Sequence, residues 1–192
     1  MSSQTRPRWL VWLLATLAAF SPLSIDTYLP SLPDIARELG TQDAQVQLTI
    51  GVFLAGLCSG MLLYGPLSDR YGRRRLLLGS LLLYILASVG CIWVASVEQL
   101  IVLRFLQAVG GAGALVLART VVRDLYPLSE AARMLSLMHV IAMVATLLAP
   151  IMGTYLVLLG GWRIIFVMLS LLGTGCLVAV SYTHLRAHET LR

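Results

Sequence analysis

Gly65-Pro66-Leu67-Ser68-Asp69-Arg70-Tyr71-Gly72-Arg73-Arg74-Arg75 lies between two apolar runs, each long enough to cross a bilayer. The stretch holds five charges in eleven residues, four of them arginine. Its two glycines and its proline predict a sharp turn. Short arginine-rich connections between spans are retained on the cytoplasmic side of a membrane. The reading that follows is a tight, charged hinge between two transmembrane helices.

Composition points the same way. The 192-residue chain is 58% hydrophobic and 12% charged, whereas soluble domains average about 45–50% apolar and about 25% charged residues. Too few polar side chains remain to coat a water-facing surface. The net charge of +5 comes from arginine alone, since the chain has no lysine. Because the arginines sit in short connections between apolar runs, the charge reads as membrane topology, and no nucleic-acid partner is expected. Cys58, Cys91 and Cys176 all fall in apolar runs without metal or redox spacing, so they are expected to pack.

A spanning helix needs roughly 20 apolar residues. Segments at 9–29, 47–66, 76–96, 99–119, 136–158 and 163–180 meet that length or nearly do. The expected fold is an all-α membrane protein in which 9–180 forms a bundle of six transmembrane helices after a cytoplasmic segment at 1–8. With the N-terminus inside, Arg6, Arg8, Arg70, Arg73, Arg74, Arg75, Arg119, Arg123 and Arg133 are cytoplasmic, while only Arg37 and Arg163 lie outside. That bias predicts a multi-pass protein of the cytoplasmic membrane with a cytoplasmic N-terminus, its chief surrounding partner the lipid bilayer.

Several spans carry small residues four apart: Gly56 and Gly60, then Gly110, Ala114 and Ala118, then Ala145, Ala149 and Gly153. In lipid, such stripes let backbones approach closely, which supplies much of the association between helices. Pro150 sits inside the third stripe and, lacking an N–H, frees the carbonyl of Thr146.

Two ionisable residues fall inside the apolar runs. Arg104 lies roughly 9 Å into the fourth span, and Asp26 lies roughly 5 Å from the same boundary at 1.5 Å per residue. A charge at mid-bilayer costs about 2.5–3.5 kcal/mol on insertion scales, so both are expected to face the bundle or a wet cavity. Asp26 and Arg104 are the candidates for proton coupling, a titrating carboxylate with an arginine nearby. Pro30 cannot donate to the carbonyl of Asp26, so the first span is expected to break at the carboxylate. No metal-ligating or catalytic set is present: His139 stands alone, and Asp26 has no acidic partner within the spans. An enzyme is therefore not expected.

Five separated stretches then carry a resemblance. Gly65 to Leu77 resembles the loop 2–3 motif of the major facilitator superfamily. Arg104-Phe-Leu-Gln107-Ala-Val-Gly110 is similar to its helix 4 motif. The run from Ala145 through Pro150 and Gly153 to Thr154 is similar to its helix 5 antiporter motif, with alanine at 145 and 149 and threonine at 154 where that motif has glycine. Ser24-Ile-Asp26-Thr-Tyr28-Leu-Pro30 and Ala118-Arg119-Thr-Val-Val-Arg123-Asp124 resemble the Bcr/CflA group of drug:proton antiporters. The resemblance covers about residues 8–180.

It implies the N-terminal six-helix half of a fold built as a 3+3 inverted repeat, with the C-terminal six-helix half as the missing partner. It implies export of small amphipathic drugs by alternating access, with protons as the coupling ion and no resident cofactor. Asp26 would take the proton and Arg104 would couple it. Tyr28 and Gln107 would line the substrate cavity. Gly65, Asp69, Arg70, Gly72, Arg73 and Arg74 would form the cytoplasmic gate, and Pro150 and Gly153 the antiporter motif of the fifth span. The loop 2–3 motif alone also allows uptake of a sugar or metabolite. The run from Val180 to Thr190 resembles a translated transposase-type sequencing adapter, so 181–192 is expected to be a non-native tail; a fragment of one half would be inactive alone.

Overall fold

A computed structural model describes residues 8–189, with side chains placed over 11–182. All regular structure among the described residues is helical. The elements are α1 (Arg8–Asp26), a 3-10 turn at Leu29–Ser31, α2 (Leu32–Glu38), α3 (Asp43–Tyr71), α4 (Arg73–Ile92), α5 (Val97–Leu125), α6 (Leu128–Gly160) and α7 (Arg163–Glu189). Six helical segments are long and apolar enough to cross a membrane, with α1 and α2 together counting as the first. The segments expected at 1–8 and 181–192 lie outside the described residues, save for the ends of α1 and α7.

The hinge differs from its sequence-based expectation. Gly65 and Pro66 do not turn the chain; they lie inside α3, which runs on to Tyr71. Pro66 leaves the helix one donor short, but the Ser68 hydroxyl bonds the Gly65 carbonyl at 2.8 Å and buried Tyr64 and Ser68 anchor this last stretch. The whole connection shrinks to Gly72, whose φ of 85° lies in a region open to glycine and closed to most side chains. Its N–H donates to the Ser68 carbonyl, closing α3, and its carbonyl accepts from Leu76 as α4 begins. Three arginines at the start of α4 oppose the helix dipole; an ion pair from Arg73 to Asp124 at the far end of α5 offsets part of that.

On the opposite side of the bundle, α5 starts with a reciprocal cap. Ser96 accepts from the Gln99 N–H at 3.4 Å, and the Gln99 side chain accepts from the Ala95 N–H at 2.9 Å. One orphan donor of the first turn, Gln99 N–H, and the Ala95 N–H just before the cap are thereby satisfied.

The small-residue stripes do hold the bundle together. Helix α5 is the most enclosed span, packed against α3, α4 and α1, while α6 is the least, meeting mainly α1. A Cβ on Gly56 would lie 2.7 Å from the Phe105 carbonyl oxygen, and one on Gly153 would collide with the Thr27 carbonyl. These two crossings, α3 on α5 and α6 on α1, exchange with each other when the first three spans are swapped with the last three. That is the contact pattern of a 3+3 repeat. Gly110 serves the α4–α5 crossing, its Cβ position 2.6 Å from the Tyr84 backbone nitrogen. Cys91 and Cys176 are buried and Cys58 is exposed, all as free thiols.

Candidate functional site

The site begins where α1 stops. The helix ends at Asp26, four residues before Pro30, so the carboxylate sits at the break that the missing proline N–H produces. The chain then narrows into the 3-10 turn, with the Ser31 hydroxyl bonding the Tyr28 carbonyl at 2.6 Å. Tyr28 turns fully inward, and its hydroxyl meets Thr49 of α3 at 2.9 Å.

Helix α5 brings Arg104 to the same level from the other direction. Its guanidinium is fully buried. One nitrogen, Nη1, donates to the Ser24 carbonyl at 3.1 Å and to Gln107 Oε1 at 2.8 Å. The ring of Tyr28 and the ring of Phe53 each lie 4.3 Å from the guanidinium carbon, with Phe166 of α7 at 6.0 Å. Aromatic faces attract a desolvated cation by about 2 kcal/mol or more, so this cage replaces part of the lost hydration. Nε and Nη2 have no hydrogen-bond partner among the described residues.

From Arg104 a polar chain crosses the core. Gln107 donates to Ser88 Oγ at 2.8 Å, Ser88 donates to the Tyr84 carbonyl at 2.7 Å, and the Tyr84 hydroxyl meets Ser24 Oγ at 2.6 Å. Three helices, α1, α4 and α5, are thus tied through one buried network.

Two expectations need correction here. Asp26 and Arg104 share a depth but not a pocket: no ion pair joins them among the described residues. Arg104 reaches the Ser24 backbone carbonyl, and the side chains of residues 24 and 26 project about 200° apart around a helix. Tyr28 and Gln107 are not cavity walls either. Both are completely buried because the guanidinium draws them in as cage and hydrogen-bond acceptor.

The open space lies elsewhere. A groove of about 760 Å³ runs between α1, α5 and α6, walled on α1 by Ala18, Ser21, Pro22 and Ile25. It reaches the arginine-rich end at Arg119, Arg123 and His139. Ala18 and Pro22 lie on one helical face, and the next turn of that face is Asp26. The half-buried carboxylate thus follows directly on Ile25, the last α1 residue of the groove wall.

The remaining predicted residues fall at the ends of the bundle. Arg73 pairs with Asp124. Asp69, Arg70 and Arg74 are exposed, Arg70 lying 5.5 Å from the ring of Tyr71. In α6, Gly153 makes the close crossing with α1, and the helix stays continuous through Pro150. Sequence reasoning did not reach Phe53, Phe166, Tyr84 or Ser88; as apolar or small residues in apolar runs they carry no signal of their own. It also missed a clamp on the arginine-poor side, where Glu38 pairs with Arg163 and accepts from the Trp162 indole at 2.6 Å. Arg163 further donates to the Ile92 carbonyl at 2.9 Å.

Comparison with known proteins agrees with this architecture. The sequence profile of the Major Facilitator Superfamily matches residues 14–191. The chain is 39% identical over 184 residues to an uncharacterized MFS-type transporter, YdgK, of Bacillus subtilis (strain 168), covering 95% of this chain and 45% of the relative. It is 39% identical over 171 residues to a chloramphenicol resistance protein of Pseudomonas aeruginosa, covering 85% of this chain and 41% of the relative. A bicyclomycin resistance protein homolog of Haemophilus influenzae is 34% identical over 160 residues, with 83% of this chain and 40% of the relative covered. The chain thus spans less than half the length of these relatives. The crystal structure of a bacterial homolog to the human lysosomal transporter Spinster, inward-facing and unoccupied, superposes with a TM-score of 0.71 at 21% identity, covering 95% of this chain and 44% of that one. Six apolar spans, glycine-mediated crossings and this profile match lead to one assignment: the chain is a multi-pass membrane chain belonging to the major facilitator superfamily.

Proposed function

We propose that this chain is the N-terminal half of a proton-coupled exporter of small amphipathic drugs, working by alternating access in the cytoplasmic membrane with its N-terminus inside. The observation that carries the reading is the groove between α1, α5 and α6, which reaches the arginine-rich end at Arg119 and Arg123 and whose α1 wall ends at Ile25, next to Asp26. By the positive-inside rule that end is cytoplasmic, so the groove would load substrate from the cytoplasm or inner leaflet. The resistance-protein names of two relatives support a drug as cargo.

In this mechanism Asp26 binds the proton. Charged, it holds the broken end of α1 toward water; neutral, it lets that end settle against apolar neighbours. Arg104 senses the change through the backbone, because it grips the Ser24 carbonyl two residues before the break. It works as a positioning residue and not as a direct partner of the carboxylate. The exposed apolar flank of α6, including Leu147, Ile151 and Leu158, would face lipid and the second six-helix half. Arg73 and Asp124 would hold α4 to α5 at the gate, leaving exposed Asp69 and Arg70 for that half.

Asp26→Asn in the full-length transporter tests this. Efflux driven by a pH gradient is expected to vanish while the protein still reaches the membrane; unchanged gradient-driven efflux would refute the assignment.

A further inference from the structure

The groove has a charge pattern that its apolar walls conceal. At its arginine-rich end stand Arg119 and Arg123, one helical turn apart on the α5 face that begins with Leu115, and across from them His139 of α6. Neither arginine makes an ion pair or a side-chain hydrogen bond among the described residues. Asp124, the acid next in sequence, is turned away and held by Arg73. No acidic residue lines the groove among the described residues.

Topology alone does not account for Arg119. Six residues separate it from the end of α5 at Leu125, roughly 9 Å at 1.5 Å per residue. A Cβ on Gly111 would lie 3.3 Å from Ser21 Oγ, which sets the register of α5 against α1. From that level Arg119 lies about 12 Å toward the arginine-rich end and Asp26 about 7.5 Å the other way. The groove therefore has a doubly cationic mouth and an apolar middle, and Asp26, outside its lining, lies roughly 20 Å from Arg119 along the axis.

We infer that Arg119 and Arg123 form a selectivity site for the anionic or strongly electron-rich end of a small amphiphile whose apolar body lies along Ala18, Pro22 and Ile25. This deepens the transport reading and rests on it. A volume of about 760 Å³ falls within the range of about 300–1,000 Å³ that holds a single drug-sized molecule. Two free guanidinium groups offer forked donors to an oxyanion, and they repel a lipophilic cation from the same entrance. An anionic lipid headgroup has the same chemistry, but the arginines line the groove together with Leu115 of α5 and His139 of α6.

The test uses the 192-residue chain in nanodiscs and two naphthalene probes of equal size, naphthalene-2-sulfonate and 2-naphthylmethyl-trimethylammonium. Binding is measured by equilibrium dialysis and corrected with empty nanodiscs. In phosphatidylcholine the sulfonate is expected to bind at least about ten-fold tighter than the ammonium. Arg119→Gln with Arg123→Gln should remove that preference at unchanged helicity, while the double lysine variant should keep most of it. Equal binding of both probes to the unaltered chain, or a preference that survives the double glutamine variant, overturns the proposal. Loss of sulfonate binding when phosphatidylglycerol is added gives the site to lipid headgroups and also overturns it. Charge-blind binding would leave the Asp26 result untouched, so this proposal and the transport reading fail independently.

Discussion

Gly110→Ala puts the packing account of the bundle at risk. The new methyl would stand 2.6 Å from the Tyr84 nitrogen and 2.7 Å from the Ser80 carbonyl oxygen, both backbone atoms that cannot rotate away. Ordinary contact starts at 3.4 Å, so α4 and α5 must part by about 0.8 Å. Overpacking of this kind costs about 1–3 kcal/mol. The same shift stretches the Gln107–Ser88 bond from 2.8 Å to roughly 3.6 Å, beyond hydrogen-bond reach, adding about 0.6 kcal/mol for an interhelical bond in lipid. Alanine also gains up to about 1 kcal/mol over glycine in helix propensity. That gain is cancelled by comparison with Gly79→Ala, since a Cβ on Gly79 of α4 meets nothing within 4 Å. The two variants should differ by about 1.5–3.5 kcal/mol, or about 3–14 °C in Tm for a chain of this size. Thermal unfolding in mild detergent, followed by circular dichroism, measures the difference. Equal midpoints would mean that α4 and α5 do not cross at Gly110.

Two other perturbations probe the core and the gate. Tyr28→Phe removes the Thr49 hydrogen bond but keeps the ring over Arg104, so it should cost about 0.6 kcal/mol; Tyr28→Leu also removes the aromatic face and should cost about 2 kcal/mol more, both read as unfolding midpoints. Arg73 and Asp124 are partly exposed, so breaking the pair by Arg73→Ala should cost only about 0.2–1 kcal/mol. The exchanged pair, Arg73→Asp with Asp124→Arg, should recover that loss, and a double-mutant cycle with no coupling would remove the contact from the account.

The legible part of this protein was local. Apolar length marked the spans, and the proline four residues beyond Asp26 marked where α1 breaks. The same local reading misjudged Gly65 and Pro66, because a helix tolerates one missing donor when Tyr64 and Ser68 are packed and Ser68 supplies a hydroxyl. The hinge is a single glycine at a positive φ, and nothing in the sequence distinguishes that glycine from its neighbour seven residues earlier.

The surroundings of the two charges were not legible at all. The Arg104–Ser24 contact brings the two to neighbouring levels of the bundle, and level follows from counting residues along a helix. Whether they meet depends on how each helix is rotated about its axis, and that is set by close crossings such as Gly110 on Tyr84 and Gly153 on Thr27. The amino-acid order alone determined how many helices cross the membrane and which end of each carries arginine, because burying a peptide in lipid depends on the segment itself. Only the packed bundle decided that Arg104 sits among Tyr28, Phe53 and Phe166 and makes no ion pair with Asp26. Those rings come from separate helices, and which of their faces meet is a property of the assembled contacts, not of any one stretch of chain.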